Sequence, residues 1–190
     1  GELTNHPYLA HIARKGKPMI VSTGMATLAE VEESVEVIRS AGGPGIVLLH
    51  CVSSYPAPAG QINLRAMDTL RDRFHVPTGF SDHTDGIEIP LAAVARGAVA
   101  IEKHLTLDRG LPGPDHWASL EPGEFARMTN LIREIESALG SGEKKPAPCE
   151  QDCARVARKS LFAVRPIRAG EALTSASVLA MRPGVGIPPS

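Results

Sequence analysis

From Pro77 to Asp115 the chain reads PTGFSDHTDGIEIPLAAVARGAVAIEKHLTLDRGLPGPD. A short apolar run ends in Ser81, Asp82 and His83. A helical segment follows, then a second apolar run ending in Glu102, Lys103 and His104, then the turn Pro112-Gly113-Pro114-Asp115. His83 and His104 are too far apart for one helix face. They suit the ends of two neighbouring parallel strands joined by one helix. A period of two places Gly79, Ser81 and His83 on one face of the first strand, and Ala100, Glu102 and His104 on one face of the second. Two imidazoles with carboxylates and hydroxyls at hand make a candidate site for a divalent cation.

Working outward, the same unit repeats. Residues 17–24 read as a short buried strand running into a glycine turn. Thr27 caps a helix to about Ser40, with Leu28, Val31, Val35 and Ile38 at helical spacing. Residues 46–51 are the second strand, opening into a loop at 52–58 rich in hydroxyls and prolines. A helix over roughly 64–74, a strand at 78–83, a helix at 87–95 and a strand at 98–105 follow. Residues 121–139 read as an amphipathic helix carrying Phe125, Met128, Leu131, Ile132 and Ile135. Ahead of the first strand, Thr4 and Asn5 can cap a helix to about Arg14, which Gly16 ends. Short apolar strands alternating with helices imply a parallel sheet covered by helices. Function in such sheets gathers at the carboxyl ends of the strands. The polar groups Ser22-Thr23, 50–55, Ser81 to His83 and Glu102 to His104 all fall there.

Residues 141–158, with Gly142, Lys144, Lys145, Pro146 and Pro148, read as an extended linker. Residues 159–190 read as the start of a second, small module. It holds a strand at 160–164, a turn at 168–171, a short helical turn at 175–179 and then Arg182-Pro183-Gly184. The abrupt ends at Gly1 and Ser190 suggest a piece of a longer protein.

Composition narrows the classes. Apolar residues make up 43% and charged residues 22%, enough for a packed core on an ordinary globular surface. A net charge of −1 gives no general attraction to nucleic acid or anionic membrane. At 4% aromatics, platforms for stacking bases are not expected. No apolar run is long enough for a membrane helix, and no signal-like start is present. Cys51, Cys149 and Cys153 are odd in number and lack metal-like spacing, so they read as reduced thiols in a cytoplasmic protein.

Taken singly, most candidates also have an ordinary structural role. His83 and His104 could be satisfied by backbone groups, but their matched places at successive strand ends argue for a site. Ser22 and Ser81 could cap the turns after their strands, or, facing one cavity, donate to phosphate oxygens. Ser53 and Tyr55 could order their loop. Asp115 sits where turns favour aspartate. His50 reads as a buried, hydrogen-bonded histidine, Cys51 as a core residue, and Arg65, Arg71 and Arg73 as a solvated helix face.

Five elements in order carry a resemblance. They are Lys17-Pro18 with Ser22-Thr23-Gly24-Met25, the string from His50 to Pro56, Gly79 to Thr84, Glu102-Lys103-His104, and Pro112 to Asp115. Together they resemble the sialic acid synthase family: bacterial N-acetylneuraminate synthase and its legionaminic and pseudaminic acid relatives. That resemblance implies an α/β fold, the second half of a (β/α)8 TIM barrel, followed by the beginning of an antifreeze-like domain. The barrel half would span 1–140, the linker 141–158 and the antifreeze-like start 159–190.

The resemblance also implies a reaction. Phosphoenolpyruvate condenses with the open-chain aldehyde of an N-acetylated amino sugar, typically N-acetylmannosamine, to give a sialic acid and phosphate. His83 and His104 would hold a divalent ion, usually manganese, with magnesium or cobalt as alternatives. Ser22 and Ser81 match phosphoenolpyruvate ligands. Tyr55 and Ser53 match substrate-contacting loop residues, although the best-known members carry asparagine at the Ser53 position. Asp115 matches a ligand of sugar hydroxyls, and Glu102 would orient the sugar or a water. Arg182 matches an arginine reaching into a partner subunit's site, which implies a domain-swapped homodimer.

Two other readings stay open on the residues alone. A metal-dependent hydrolase on a similar barrel would want more protein ligands and a general base, for which only Glu102 offers itself. A non-catalytic half-barrel serving assembly or binding is the third.

Overall fold

Four parallel strands in the order β1-β2-β3-β4 form the centre of the first unit. They are β1 (Met19–Ser22), β2 (Ile46–Cys51), β3 (Thr78–Asp82) and β4 (Ile101–Lys103), preceded by α1 (His6–Ala13). Each strand is followed by a helix: α2 (Leu28–Ser40), α3 (Ala66–Phe74), α4 (Glu88–Ala95) and α5 (Pro122–Leu139). The computed structural model describes residues 1–189 and divides after Gly140 into two units.

Local chemistry sets these elements. Glu30 Oε2 accepts from the Thr27 N–H at 2.7 Å, while the Glu30 N–H donates to Thr27 Oγ1 at 3.3 Å. This reciprocal cap satisfies two N–H groups that the helix leaves free. Asn5 caps α1 by accepting from the Tyr8 N–H, and Gly16 follows in the left-handed region at φ +69°. Helix α3 starts later than residue 64. Asn63 is left-handed at φ 51°, and the Ile62 carbonyl is taken by His50 Nε2 at 2.6 Å. Regular pairing on β4 is shorter than 98–105, but the ladder begins below it: Val99 N–H donates to the Thr78 carbonyl and Phe80 N–H to the Ala100 carbonyl.

Register sorts the side chains onto two faces. Leu48 pairs with Thr78, His50 with Phe80 and Phe80 with Ile101; Leu49 pairs with Gly79, Cys51 with Ser81 and Ser81 with Glu102. The first set faces the helices. There Met19, Val21, Ile46 and Leu48 pack with Val31, Val35, Ile38, Leu70 and Phe74. Phe80 is fully buried with Met67, Ile62 and Ala93. The second set forms the other face, apolar at Leu49 and polar towards the carboxyl ends. Gly79 is required on this face, since a Cβ there would overlap the Ala100 carbonyl and Leu49 Cδ2.

The second unit has its own small sheet. Strands β5 (Ser160–Ala163) and β6 (Val178–Met181) pair antiparallel, Ser160 opposite Met181. Two expectations need correcting here. The stretch read as an extended linker contains α6 (Gln151–Ala157), entered through a 3-10 turn at Pro148–Glu150. The start of that turn is held by the Ala147 N–H donating to Glu150 Oε2 at 2.6 Å, with Pro148 at its first position, where the missing N–H costs nothing. Residues 175–177 do turn, but Val178 and Leu179 enter β6, because Ser160–Ala163 offers them a ladder partner. Among the described residues no helix is long and apolar enough to cross a membrane.

Candidate active site

The carboxyl ends of all four parallel strands contribute to one cleft of about 250 Å³. β1 supplies Ser22 and, just beyond it, Gly24. β2 supplies Cys51 and leads to Ser53 and Tyr55. β3 supplies Ser81 and leads to His83, and β4 supplies Glu102 and leads to His104. Side chains alternate along a strand, so Asp82 and Lys103 point the opposite way, into the helix-covered face. Gly24 is small for a reason visible here. A Cβ at that position would overlap Ser53 Oγ and lie 3.1 Å from Cys51 Sγ, so glycine lets the first two loops close together.

The groups are coupled. Ser81 Oγ donates to Glu102 Oε1 at 2.7 Å, joining β3 to β4 on the cleft side. His83 Nδ1 lies 2.8 Å from the Val52 carbonyl. With a proton on Nδ1 donated to that carbonyl, the Nε2 lone pair is left free. This is the usual way a protein orients a metal-ligating imidazole. The rings of His83 and His104 are 5.1 Å apart, and Tyr55 lies over both, at 4.2 Å from His83 and 5.4 Å from His104. Asp115 Oδ2 approaches His104 Nδ1 at 4.0 Å from the loop beyond β4.

Three titrations are moved by these contacts. Burial pushes the Cys51 thiol up, but hydrogen bonds with His83 and Ser81 outweigh it and hold the thiol below its ordinary value. Burial pushes His83 down, but its contacts with the Cys51 sulfur and the Val52 carbonyl leave it raised. The Tyr55 phenol is raised, first by burial and then by the nearby negative groups Cys51, Asp115 and Glu102.

His83 and His104 could offer two imidazole nitrogens to a divalent ion. Among the described residues no group of three or more His, Cys, Asp or Glu is arranged to hold a metal.

The profile of the NeuB family matches residues 1–144. The chain belongs to the NeuB family. It is 49% identical over 189 residues to N,N'-diacetyllegionaminic acid synthase of Campylobacter jejuni, covering 98% of this chain and 57% of that protein. It is 41% identical over 175 residues to N-acetylneuraminate-9-phosphate synthase of Mus musculus, covering 92% of this chain and 48% of that protein. The crystal structure of N-acetylneuraminic acid (sialic acid) synthetase from Leptospira borgpetersenii serovar Hardjo-bovis, in complex with citrate, superposes with a TM-score of 0.73 at 42% identity. That match covers 80% of this chain and 53% of the other. The chain spans about half the length of the curated relatives it matches. The four-stranded sheet with its helices is accordingly an α/β half-barrel.

This NeuB family chain brings Ser22, Ser53, Tyr55, Ser81, His83, Glu102 and His104 to one cleft. Asp115 stands at its margin, with its side chain more than half exposed. Arg182 belongs to the second unit, where its Nε–H donates to the Ala157 carbonyl at 2.9 Å. Sequence reading assigned Cys51 to the core. It is buried, yet its Sγ lines the cleft and lies 3.8 Å from His83 Nδ1. The period of two along 46–51 carries that signal, since Cys51 shares a face with Leu49. Gly24 gave no signal beyond marking a turn.

Proposed function

We propose that this chain is the catalytic-site half of an enzyme that condenses phosphoenolpyruvate with an N-acetylated amino sugar, N-acetylmannosamine or a relative, to give a sialic acid and phosphate. The observation that carries the reading is the convergence of Ser22, Ser81, His83, Glu102 and His104 from successive strand ends on one cleft. Membership of the NeuB family and relatives named as legionaminic and sialic acid synthases support it.

In this reading the Ser22 and Ser81 hydroxyls donate to phosphoenolpyruvate oxygens, Ser81 by turning its single proton from Glu102 to the substrate. His83 and His104 would hold a divalent ion, manganese in preference to magnesium or cobalt. Such an ion polarises a carbonyl oxygen as a Lewis acid, a contribution of several kcal/mol. Carbon three of phosphoenolpyruvate bonds to the sugar's aldehyde carbon, whose oxygen takes up a proton. Water adds at carbon two and gives up one proton, and the bond from carbon two to the phosphate oxygen breaks as the new hydroxyl passes its other proton to the leaving phosphate, leaving a ketone. Glu102, released by Ser81 when phosphoenolpyruvate binds, orients the sugar or the water and carries the proton. Asp115 accepts from sugar hydroxyls, and the Tyr55 ring with Ser53 closes the loop side. Arg182 reaches the site of a partner subunit in a domain-swapped homodimer. The protein works in the cytoplasm, in keeping with its three free cysteines.

The experiment is turnover by the intact protein carrying this chain. Phosphate release should require phosphoenolpyruvate, an amino sugar aldehyde and a divalent ion together. Hydrolysis of phosphoenolpyruvate at the same rate without any sugar would refute the reading.

A further inference from the structure

Behind the cleft, on the helix-covered face, Lys103 Nζ donates to Asp82 Oδ2 at 2.7 Å. The two side chains are 1% and 0% exposed. Lys103 also donates to the Thr84 carbonyl. Asp82 accepts from the Thr84 N–H at 3.0 Å and from its hydroxyl at 3.1 Å. Asp82 and Lys103 are register partners, one step beyond Ser81 and Glu102. Asp82 lies between Ser81 and His83 in the chain, and Lys103 between Glu102 and His104. This ion pair therefore cross-links the rung whose chain neighbours, Ser81 and Glu102 before it and His83 and His104 after it, line the cleft. Regular pairing of β4 ends at this rung.

Stability does not explain such a pair. Moving both charges out of water is costly, and apolar replacement of a buried pair is often neutral or stabilising. A directional, charge-assisted contact does supply a fixed separation and rotation between two strand ends. We propose that Lys103 and Asp82 are positioning residues, whose ion pair locks the ends of β3 and β4 so that His83, His104, Ser81 and Glu102 meet in their cleft geometry. The proposal rests on the reading of that cleft as a divalent-ion and phosphoenolpyruvate site.

The test uses the intact protein carrying this chain. The double variant Asp82→Asn/Lys103→Met removes both charges and keeps an acceptor for the Thr84 N–H. Melting temperature, manganese affinity by calorimetry, and kcat and KM for phosphate release are compared with wild type. The melting temperature should stay within a few degrees. Manganese affinity should fall about tenfold or more, the scale typical of lost outer partners of metal ligands. The kcat should fall about tenfold, with KM for phosphoenolpyruvate changed by less than about twofold. Wild-type affinity and kcat in the folded double variant would overturn the proposal. Lys103→Arg keeps the charge but changes the reach, and it decides the matter if the double variant does not fold. Weakened manganese binding at an unchanged melting temperature supports positioning; unchanged binding overturns it. If wild type itself neither binds manganese nor releases phosphate, the reading of the cleft has failed. The histidine ring NMR signals of the metal-free protein then decide positioning. They shift in Lys103→Arg if the pair sets the strand ends and stay put if it does not.

Discussion

His83 and His104 meet edge to face, with ring centres 5.1 Å apart and planes at 90°. One ring follows the end of β3 and the other the end of β4, so the sheet's own register brings them together. The Val52 carbonyl occupies His83 Nδ1, leaving Nε2 as the available donor. Replacing both histidines by alanine should abolish manganese binding measured by calorimetric titration. Binding of wild-type strength in that variant would remove the metal from the account.

Glu102 should act through its charge and not only through its bond to Ser81. Glu102→Gln keeps an acceptor for Ser81 Oγ, so the fold should be preserved. A positioned acid or base contributes typically about 10²–10⁴-fold, so kcat should fall by at least about a hundredfold. KM for phosphoenolpyruvate should change little. An unchanged kcat would assign Glu102 to structure alone.

Asp115 lies at the cleft's edge, where its Oδ2 approaches His104 Nδ1 at 4.0 Å. As an acceptor for sugar hydroxyls it would contribute about 1.5–3 kcal/mol, typical of hydrogen bonds to charged groups. Asp115→Ala should then lower kcat/KM for the sugar by roughly one to two orders of magnitude. Steady-state kinetics with the sugar varied at saturating phosphoenolpyruvate would show it. Wild-type values for both substrates would rule the role out.

Away from the cleft, Asp68 joins α3 to the end of α4 by pairing with Arg71 and Arg96. Burial pushes its carboxyl up, but the hydrogen bonds from Arg96 and Arg71 outweigh this and hold it below the ordinary carboxylate range. A folded-state pKa below the unfolded one, near about 4, means the pair contributes above that pH. The contribution is lost as the pH falls through the folded value. Asp68→Asn should therefore melt earlier than wild type at neutral pH, with the gap closing in acid. A gap that stays constant from neutral pH into acid would contradict the assignment.

Much of this was legible because parallel strands leave a plain trace. The apolar runs at 46–51 and 78–82 are bounded by glycine, proline and polar turns, and the period of two alone placed Ser81 and His83 together, and Glu102 with His104. The helix caps at Asn5 and Thr27 were equally readable, since a side-chain oxygen before an apolar-periodic run has one obvious use. The start of α3 was not. It depends on the left-handed Asn63 and on His50 reaching the Ile62 carbonyl, a contact twelve residues apart in sequence. The helix at Gln151–Ala157 was hidden by Pro146 and Pro148 just before it, which read as linker, although Pro148 opens the 3-10 turn that leads into the helix. The Lys103–Asp82 pair was hidden differently. Both residues sit inside motifs whose neighbours drew the attention, and only the alternation of faces shows that they turn away from the cleft.

The most direct test of the account is phosphate release by the intact protein carrying this chain, with products identified by mass spectrometry. Phosphoenolpyruvate and manganese are supplied with N-acetylmannosamine, or with the diacetylated amino sugars that would lead to legionaminic and pseudaminic acids. At least one sugar should give a nine-carbon-backbone acid, with one phosphate released for each phosphoenolpyruvate consumed. Chelation of the metal should stop the reaction, and His83→Ala should abolish it. No sugar-dependent consumption of phosphoenolpyruvate with any of these aldehydes, by protein shown to be folded and metal-loaded, would contradict the account at its centre.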